Sequence, residues 1–272
     1  MGSNPIICLI LKMLSPLEQF QIISLLSFKL SIFDFSITNL FFMNFIIFTF
    51  FYFLIVFSTA GFNYTNILPF FLAPNNWQNF LEINFELVSQ LLFDNLNNIG
   101  QKYFLFITLI FSFILFSNLL GLIPYSFTVT SHLIITFTLS FSIFTGIALI
   151  GVWEHKFNIL SLFIPANTAF FLSLILVPIE FISFIAKPIS LGVRLFINVM
   201  AGHTLLKVII GFAWSMLLIE NLMLVSHLLP LFVLVLLMGL EFGVAVIQAY
   251  VFTILTCIYL NDSINLHLKY CA

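Results

Sequence analysis

Uncharged apolar runs of about 20 residues, long enough to cross roughly 30 Å of hydrocarbon, recur along this chain. Residues 1–38 come before them and are mixed, with Lys12, Glu18, Lys29 and Asp34 among apolar neighbours. They read as a tail on a membrane surface or in solvent. Asn39–Ala60 (NLFFMNFIIFTFFYFLIVFSTA) predicts a first span. Gly61–Asn66, with Pro69 and Pro74 beyond, predicts a loop. Residues 76–99 change character. Phe80, Ile83, Leu87 and Leu91 recur at helical spacing, while Glu82, Glu86, Gln90 and Asp94 lie nearer the other face. The pattern fits an amphipathic helix at the membrane interface, or one packed on another subunit. Lys102 opens a second span, Tyr103–Ile123, stopped by Pro124. Leu133–Val152 is a third, ended by Trp153, Glu154, His155 and Lys156. A Trp at a span end suits the headgroup region. Asn158–Val177 is a fourth apolar stretch, interrupted by Pro165 and Asn167, and predicts a re-entrant or broken element.

The C-terminal part differs. Pro178 to about Ile219 and Asn221 to Leu260 are each some forty residues and mostly apolar. At 1.5 Å rise per residue each makes a helix about 60 Å long, twice the hydrocarbon thickness. Each is either a pair of upright spans or one strongly tilted helix. Turn residues are weak, with Gly192, Gly202 and Pro230 the candidates, so two tilted helices with a turn near Glu220–Asn221 are favoured. No internal repeat is visible, against the inverted-repeat transporter folds.

Composition agrees with the spans. Hydrophobic residues make up 62% of 272 and charged residues 7%, where a soluble domain carries about 25%. That excludes a soluble enzyme and a disordered chain. A net charge of −2 with no basic patch argues against nucleic-acid binding. Cys8, Cys257 and Cys271 are far apart, so neither a disulfide framework nor a zinc site is expected. The short run Pro5–Leu11, followed rather than preceded by Lys12, is not a standard secretory signal. The expected fold is all-α: a polytopic membrane protein with about five or six membrane helices, two of them long, tilted and C-terminal, plus the amphipathic helix. A single membrane domain, 39–272, follows the tail.

The chemistry sits in the last two stretches. Arg194 is the only arginine and stands amid Leu191, Val193, Leu195, Phe196 and Ile197. An Arg at a helix centre in the bilayer costs about 2.5–3.5 kcal/mol or more, and it cannot escape by losing its proton. It must meet water, a polar partner or a carboxylate. Asn198 shares its face by spacing, as does Lys187 if Pro188 leaves the helix unbroken. His203 and Lys207 fall on the opposite face. Glu241 and Gln248 are seven apart and share a face, joined by His227 if Pro230 keeps the phase. A carboxylate with an imidazole makes a proton relay. Glu180 is a second intramembrane carboxylate. Gly239 and Gly243 flank Glu241 at the spacing that lets helices approach closely. For His227, Gln248 and Lys187 a structural role in fixing register is the default. For Arg194 and Glu241 the cost of burial favours function. His132 and His155, near span ends, are expected to be solvated. No P-loop, HExxH, GxSxG or Rossmann fingerprint is present, so no cofactor or catalytic site is expected.

With these residues in view, the chain resembles the subunit a family of rotary ATP synthases, in its mitochondrial form. Ser190–His203 (SLGVRLFINVMAGH), residues 240–262 (LEFGVAVIQAYVFTILTCIYLND) and residues 118–132 (NLLGLIPYSFTVTSH) carry the resemblance. SPLEQF at 15–20 and PIEFISFIAKPISLG at 178–192 add to it. AGH after the arginine, with LE in the last helix, is the mitochondrial arrangement, and the bacterial form usually reverses Glu and His. Residues 118–132 are plant-like in wording, pointing to a plant, algal or protist mitochondrion. The loop FIPANTAF at 163–170 departs from the family's Gly-containing form. The first fourteen residues match nothing in the family and are candidates for removal on maturation.

The resemblance implies a proton-conducting stator subunit in the mitochondrial inner membrane, non-catalytic by itself. Its partners would be the c-subunit ring, against which the hairpin of about 178–260 packs, the peripheral stalk and other Fo membrane subunits, and lipid. Protons would enter by one half-channel, load a carboxylate on each ring subunit, travel with it, and leave by a second. Arg194 matches the arginine that keeps the half-channels apart. Asn198 and Gln248 match polar residues near it. His203 and Glu241 match the pair lining the intermembrane-space half-channel, and Glu180 the acidic residue beside the matrix-side exit. Two rivals from other classes are an autonomous secondary transporter with a central Arg–Glu pair and a purely structural subunit of a respiratory complex.

Overall fold

The computed structural model describes residues 20–27, 29–30, 33–34, 36–59, 76–123, 126–156, 170–217 and 224–264. Five of its helices are long and apolar enough to cross a membrane. Apolar side chains cover their outer faces, as at Leu105, Ile134 and Leu149, which are 69–77% exposed. A lipid-facing surface looks like this, and Trp153 at a span end is well exposed in the same way.

The tail folds back on itself. Strand β1 (Ser24–Leu26) pairs antiparallel with β4 (Ile37–Thr38), and β2 (Lys29–Leu30) with β3 (Phe33–Asp34). Two small ladders are thus added to the all-α expectation. Helix α1 (Asn39–Thr59) starts where the apolar run starts. The Phe41 backbone N–H donates to Thr38 Oγ1 at 3.4 Å, which partners one of the amides left open at a helix start.

Helix α2 (Asn76–Leu96) runs into a 3₁₀ segment, Asn97–Tyr103, and then α3 (Phe104–Gly121). The buried seam of α2 is Leu81, Val88, Leu91, Leu92 and Leu96, packed on α1, α3 and the last helix. Of the expected face, Leu91 is buried and Leu87 packs against the core, but Phe80 and Ile83 are exposed and Leu81 is buried instead. Both stripes are apolar, so packing geometry rather than periodicity chose between them. Helix α3 is the most enclosed, with Ile107, Phe111, Ile114 and Leu115 buried. Its hydroxyls bond within the helix, Thr108 Oγ1 to the Phe104 carbonyl at 2.7 Å and Ser117 Oγ to the Ile114 carbonyl at 2.9 Å. Polar atoms in hydrocarbon need such internal partners.

Helix α4 (Leu133–His155) precedes the two long helices, α5 (Phe170–Leu217) and α6 (Leu224–Ile264). The expected fourth, broken stretch fares differently. Residues 157–169 lie outside the described part, together with most of FIPANTAF, but 170–177 are the first turns of α5. Neither Pro178 nor Pro188 stops that helix. Each proline removes one N–H and frees the carbonyl four residues back, a loss that neighbouring helices tolerate in membranes. The apolar parts of α5 and α6 span 40 and 37 residues. Helices of about 55–60 Å must lie steeply tilted in a bilayer about 30 Å thick. The turn expected at Glu220–Asn221 lies outside the described residues.

Close approach occurs at Gly192, where α5 crosses α4. A Cβ there would stand 2.6 Å from Ser140 Oγ, 3.0 Å from the Thr136 carbonyl oxygen and 3.3 Å from Phe137 Cα. The pair expected to allow close approach, Gly239 and Gly243, has nothing within 4 Å of either Cβ position.

Candidate functional site

Helices α5 and α6 run antiparallel, and three contacts fix their register. Gly202 meets Glu241, Asn198 bonds Gln248, and Lys187 meets Tyr259. Polar and apolar layers therefore alternate along one seam.

At one end a cavity of about 30 Å³ opens between α3, α5 and α6. That is room for about one water. Asn118 and Leu122 of α3, Asn198, Val199 and His203 of α5, and Glu241, Val244, Ala245 and Gln248 of α6 line it. The Asn198 amide donates to Gln248 Oε1 at 2.8 Å. The Asn118 amide donates to the Ala245 carbonyl at 3.4 Å, and its own Oδ1 is buried with no partner among the described residues. Both Glu241 carboxylate oxygens are likewise buried without a hydrogen-bond partner there. Glu241 fits because Gly202 leaves space: a Cβ on Gly202 would stand 2.6 Å from Oε1.

The next layer is apolar. Leu191 and Leu195 of α5 and Ala249 and Phe252 of α6 are buried in one cluster, which extends to α3 and α4. Arg194 lies at this level and is exposed. Beyond comes a second polar layer. The Lys187 ammonium sits 5.1 Å from the Tyr259 ring centroid, in cation–π range. Because α5 is unbroken at Pro188, half-buried Glu180 and Lys187 share the Arg194 face at seven-residue steps.

The structure thus brings Asn198, His203, Glu241 and Gln248 together and holds Arg194 and Glu180 apart from them. Asn198 was expected on the Arg194 face, opposite His203. It lies one turn from Arg194 on the unbroken helix, yet lines the same cavity as His203. The side chain of His227 lies outside the described residues. Neither of the two histidines expected in solvent is free there. His132 Nε2 is buried without a partner among the described residues, and burial pushes its pKa down. His155 Nε2 is 2.7 Å from the Ile264 carbonyl oxygen. Asn118, Gly202 and Tyr259 joined the site unassigned by sequence reasoning. Asn118 carried a signal, an amide within an apolar span. Gly202 carried only its adjacency to His203.

The chain matches the model of the ATP synthase A chain family over residues 19–261. It is 51% identical over 253 residues to an ATP synthase subunit a of Pylaiella littoralis, covering 93% of this chain and 99% of that one. It is 46% identical over 255 residues to that of Chondrus crispus, at 93% and 97% coverage. It is 44% identical over 256 residues to that of Marchantia polymorpha, at 93% and 99%. The matched residues take in nearly all of the helices that build the seam, and the chain belongs to the ATP synthase A chain family.

Proposed function

We propose that this chain is the proton-conducting stator subunit of the membrane sector of a rotary ATP synthase, with its two half-channels built on the α5–α6 seam. The observation that carries this is Glu241. Its carboxylate is buried without a partner among the described residues, in a cavity with room for about one water that His203 also lines. A structural carboxylate in hydrocarbon is paired; one left without cation or donor is suited to taking up a proton and handing it on.

The layers suggest a division of labour. The cavity with His203, Glu241, Asn198 and Gln248 is the entry half-channel, where Glu241 exchanges protons with water and the imidazole. The Asn198–Gln248 bond holds the two helices together between that cavity and Arg194. The outer face of α5, where Arg194 is exposed, meets a ring of c subunits. There the guanidinium favours the ionised form of an arriving ring carboxylate. The Leu191, Leu195 and Phe252 layer denies water a straight path. Lys187, Tyr259 and Glu180 border the exit half-channel. The chain cleaves no ATP; it belongs to the complex that makes it. Its resemblance to the mitochondrial form supports the inner membrane of that organelle, with the peripheral stalk and other membrane subunits as neighbours. The family match removes the ground for an autonomous transporter or a purely structural subunit.

The test is Glu241→Gln, which keeps the shape and removes the exchangeable proton. The complex should assemble on a native gel while proton-driven ATP synthesis falls about a hundredfold, within the range for losing a positioned acid–base group. Synthesis at the normal rate, with an unaltered pH profile, would sink the proposal.

A further inference from the structure

The chain segment before α1 reaches His203 through Phe20. Gln21 to Ser27 are all exposed, and Ile22, Ile23, Leu25 and Leu26 are 54–59% exposed, yet Phe20 is 7% exposed. Its ring centroid lies 6.2 Å from that of the His203 imidazole, with the planes at 58°. That is a tilted aromatic pair at a favourable separation.

The segment is tied down. Asn39, the first residue of α1, accepts from the Ile23 N–H through Oδ1 at 3.2 Å. Its amide donates to the Gln21 carbonyl at 3.0 Å, and its backbone N–H to the Ile23 carbonyl at 3.1 Å. The β1–β4 pairing continues the attachment. An exposed apolar segment of this kind has little reason of its own to stay in one place. Here it is clamped within three residues of Phe20.

An imidazole that passes protons needs both nitrogens free, one toward the incoming water and one toward the acceptor. A hydrogen bond from the protein would fix the ring but occupy a nitrogen. A phenyl ring against the imidazole fixes the ring plane and occupies neither. We infer that Phe20 is a positioning residue for His203: held by the Asn39 clamp, it covers one side of the imidazole and sets its plane where His203 meets the cavity. This rests on the reading of that cavity as a proton path. Among the described residues, the charged and titratable groups around His203 are Glu241, across the cavity on α6, and Lys207, one turn along α5, and α3 lines the cavity there with the neutral Asn118.

The experiment uses the whole complex in membrane vesicles carrying Phe20→Ala, Phe20→Tyr or Asn39→Ala. Modification of His203 by diethyl pyrocarbonate is followed by mass spectrometry, and proton-driven ATP synthesis is measured across pH. Phe20→Ala should speed His203 modification about two- to tenfold, the range an aromatic pair supports, and displace the pH profile. Phe20→Tyr keeps the ring and should restore both. Asn39→Ala should move both in the Ala direction by less. Unchanged modification in Phe20→Ala would overturn the inference, as would faster modification with the wild-type pH profile. If Phe20→Ala does not assemble, Asn39→Ala decides by the same criteria. His203→Ala in the same vesicles separates the two layers of reasoning: normal synthesis there would fault the proton path, whatever the modification rates.

Discussion

Replacing Gly202 by Ala tests whether the position of the Glu241 carboxylate matters, apart from its presence. The added methyl carbon would stand 2.6 Å from Oε1, 3.2 Å from Cδ and 3.3 Å from Cγ of Glu241. Comfortable contacts begin near 3.5 Å, so the carboxylate must retreat by about 0.9 Å. The obstruction is the free end of a flexible side chain, and the cavity of about 30 Å³ beside it gives that end somewhere to turn. The helices need not part. Ala also gains about 0.8–1.0 kcal/mol of helix propensity over Gly, which offsets the crowding. Assembly should therefore be near normal. Transfer between groups is sensitive to geometry, and a misplacement of about 1 Å costs up to about a hundredfold, so synthesis should fall by about tenfold or more. The assay is proton-driven ATP synthesis per assembled complex, with Gly146→Ala on α4 as control, since nothing lies within 4 Å of that Cβ position. A Gly202→Ala rate equal to the control would refute the role given to carboxylate placement. A loss that simply tracks missing complex would assign Gly202 to helix packing instead.

Arg194→Ala should leave the complex on a native gel and abolish coupled synthesis; coupled synthesis at the normal rate would show the guanidinium dispensable. Asn198→Ala leaves Gln248 Oε1 without the donor it has at 2.8 Å, a loss of about 1–3 kcal/mol, so the complex should unfold at lower temperature in detergent. Pairing it with Gln248→Leu should recover part of that shift; no recovery would mean the bond is not what stabilises. Gly192→Ala pushes a methyl to 3.0 Å from the Thr136 carbonyl and 3.3 Å from Phe137 Cα, backbone that cannot swing aside. It should cost about 1–3 kcal/mol and show as reduced assembly, with normal synthesis per complex remaining.

The spans were legible because lipid imposes a simple rule, a run of apolar residues of fixed length. Asn39–Thr59 and Phe104–Gly121 follow the expected runs closely. Length alone also favoured tilt for the last two helices. Pro178 misled, because a proline usually opens or breaks a helix in water, whereas α5 continues through it from Phe170. The seam of α2 was right at Leu87 and Leu91 and off by one residue near its start, since Phe80 and Leu81 are both apolar and only the neighbouring helices distinguish them. At the site, residues costly to bury announced themselves: Arg194, Glu241, His203. The groups that touch them did not. Gly202 and Phe20 have no charge or periodicity to betray them, and they matter only through what they touch.

The apolar layer between Lys187 and Asn198 has an electrical consequence. On the proposed reading the two half-channels conduct, and the layer of Leu191, Leu195 and Phe252 between them insulates. Voltage falls where conduction fails, so on that reading the membrane potential drops mainly over the eleven residue steps from Lys187 to Asn198, about 16 Å of helix, rather than across the whole ~30 Å of hydrocarbon. The local field is roughly doubled. Because α5 and α6 lie steeply tilted, the insulating gap points more along the membrane plane than through it. A drop worth about 2.3 kcal/mol per charge for every 100 mV is therefore turned sideways, and a charge moving past Arg194 is pushed laterally rather than across.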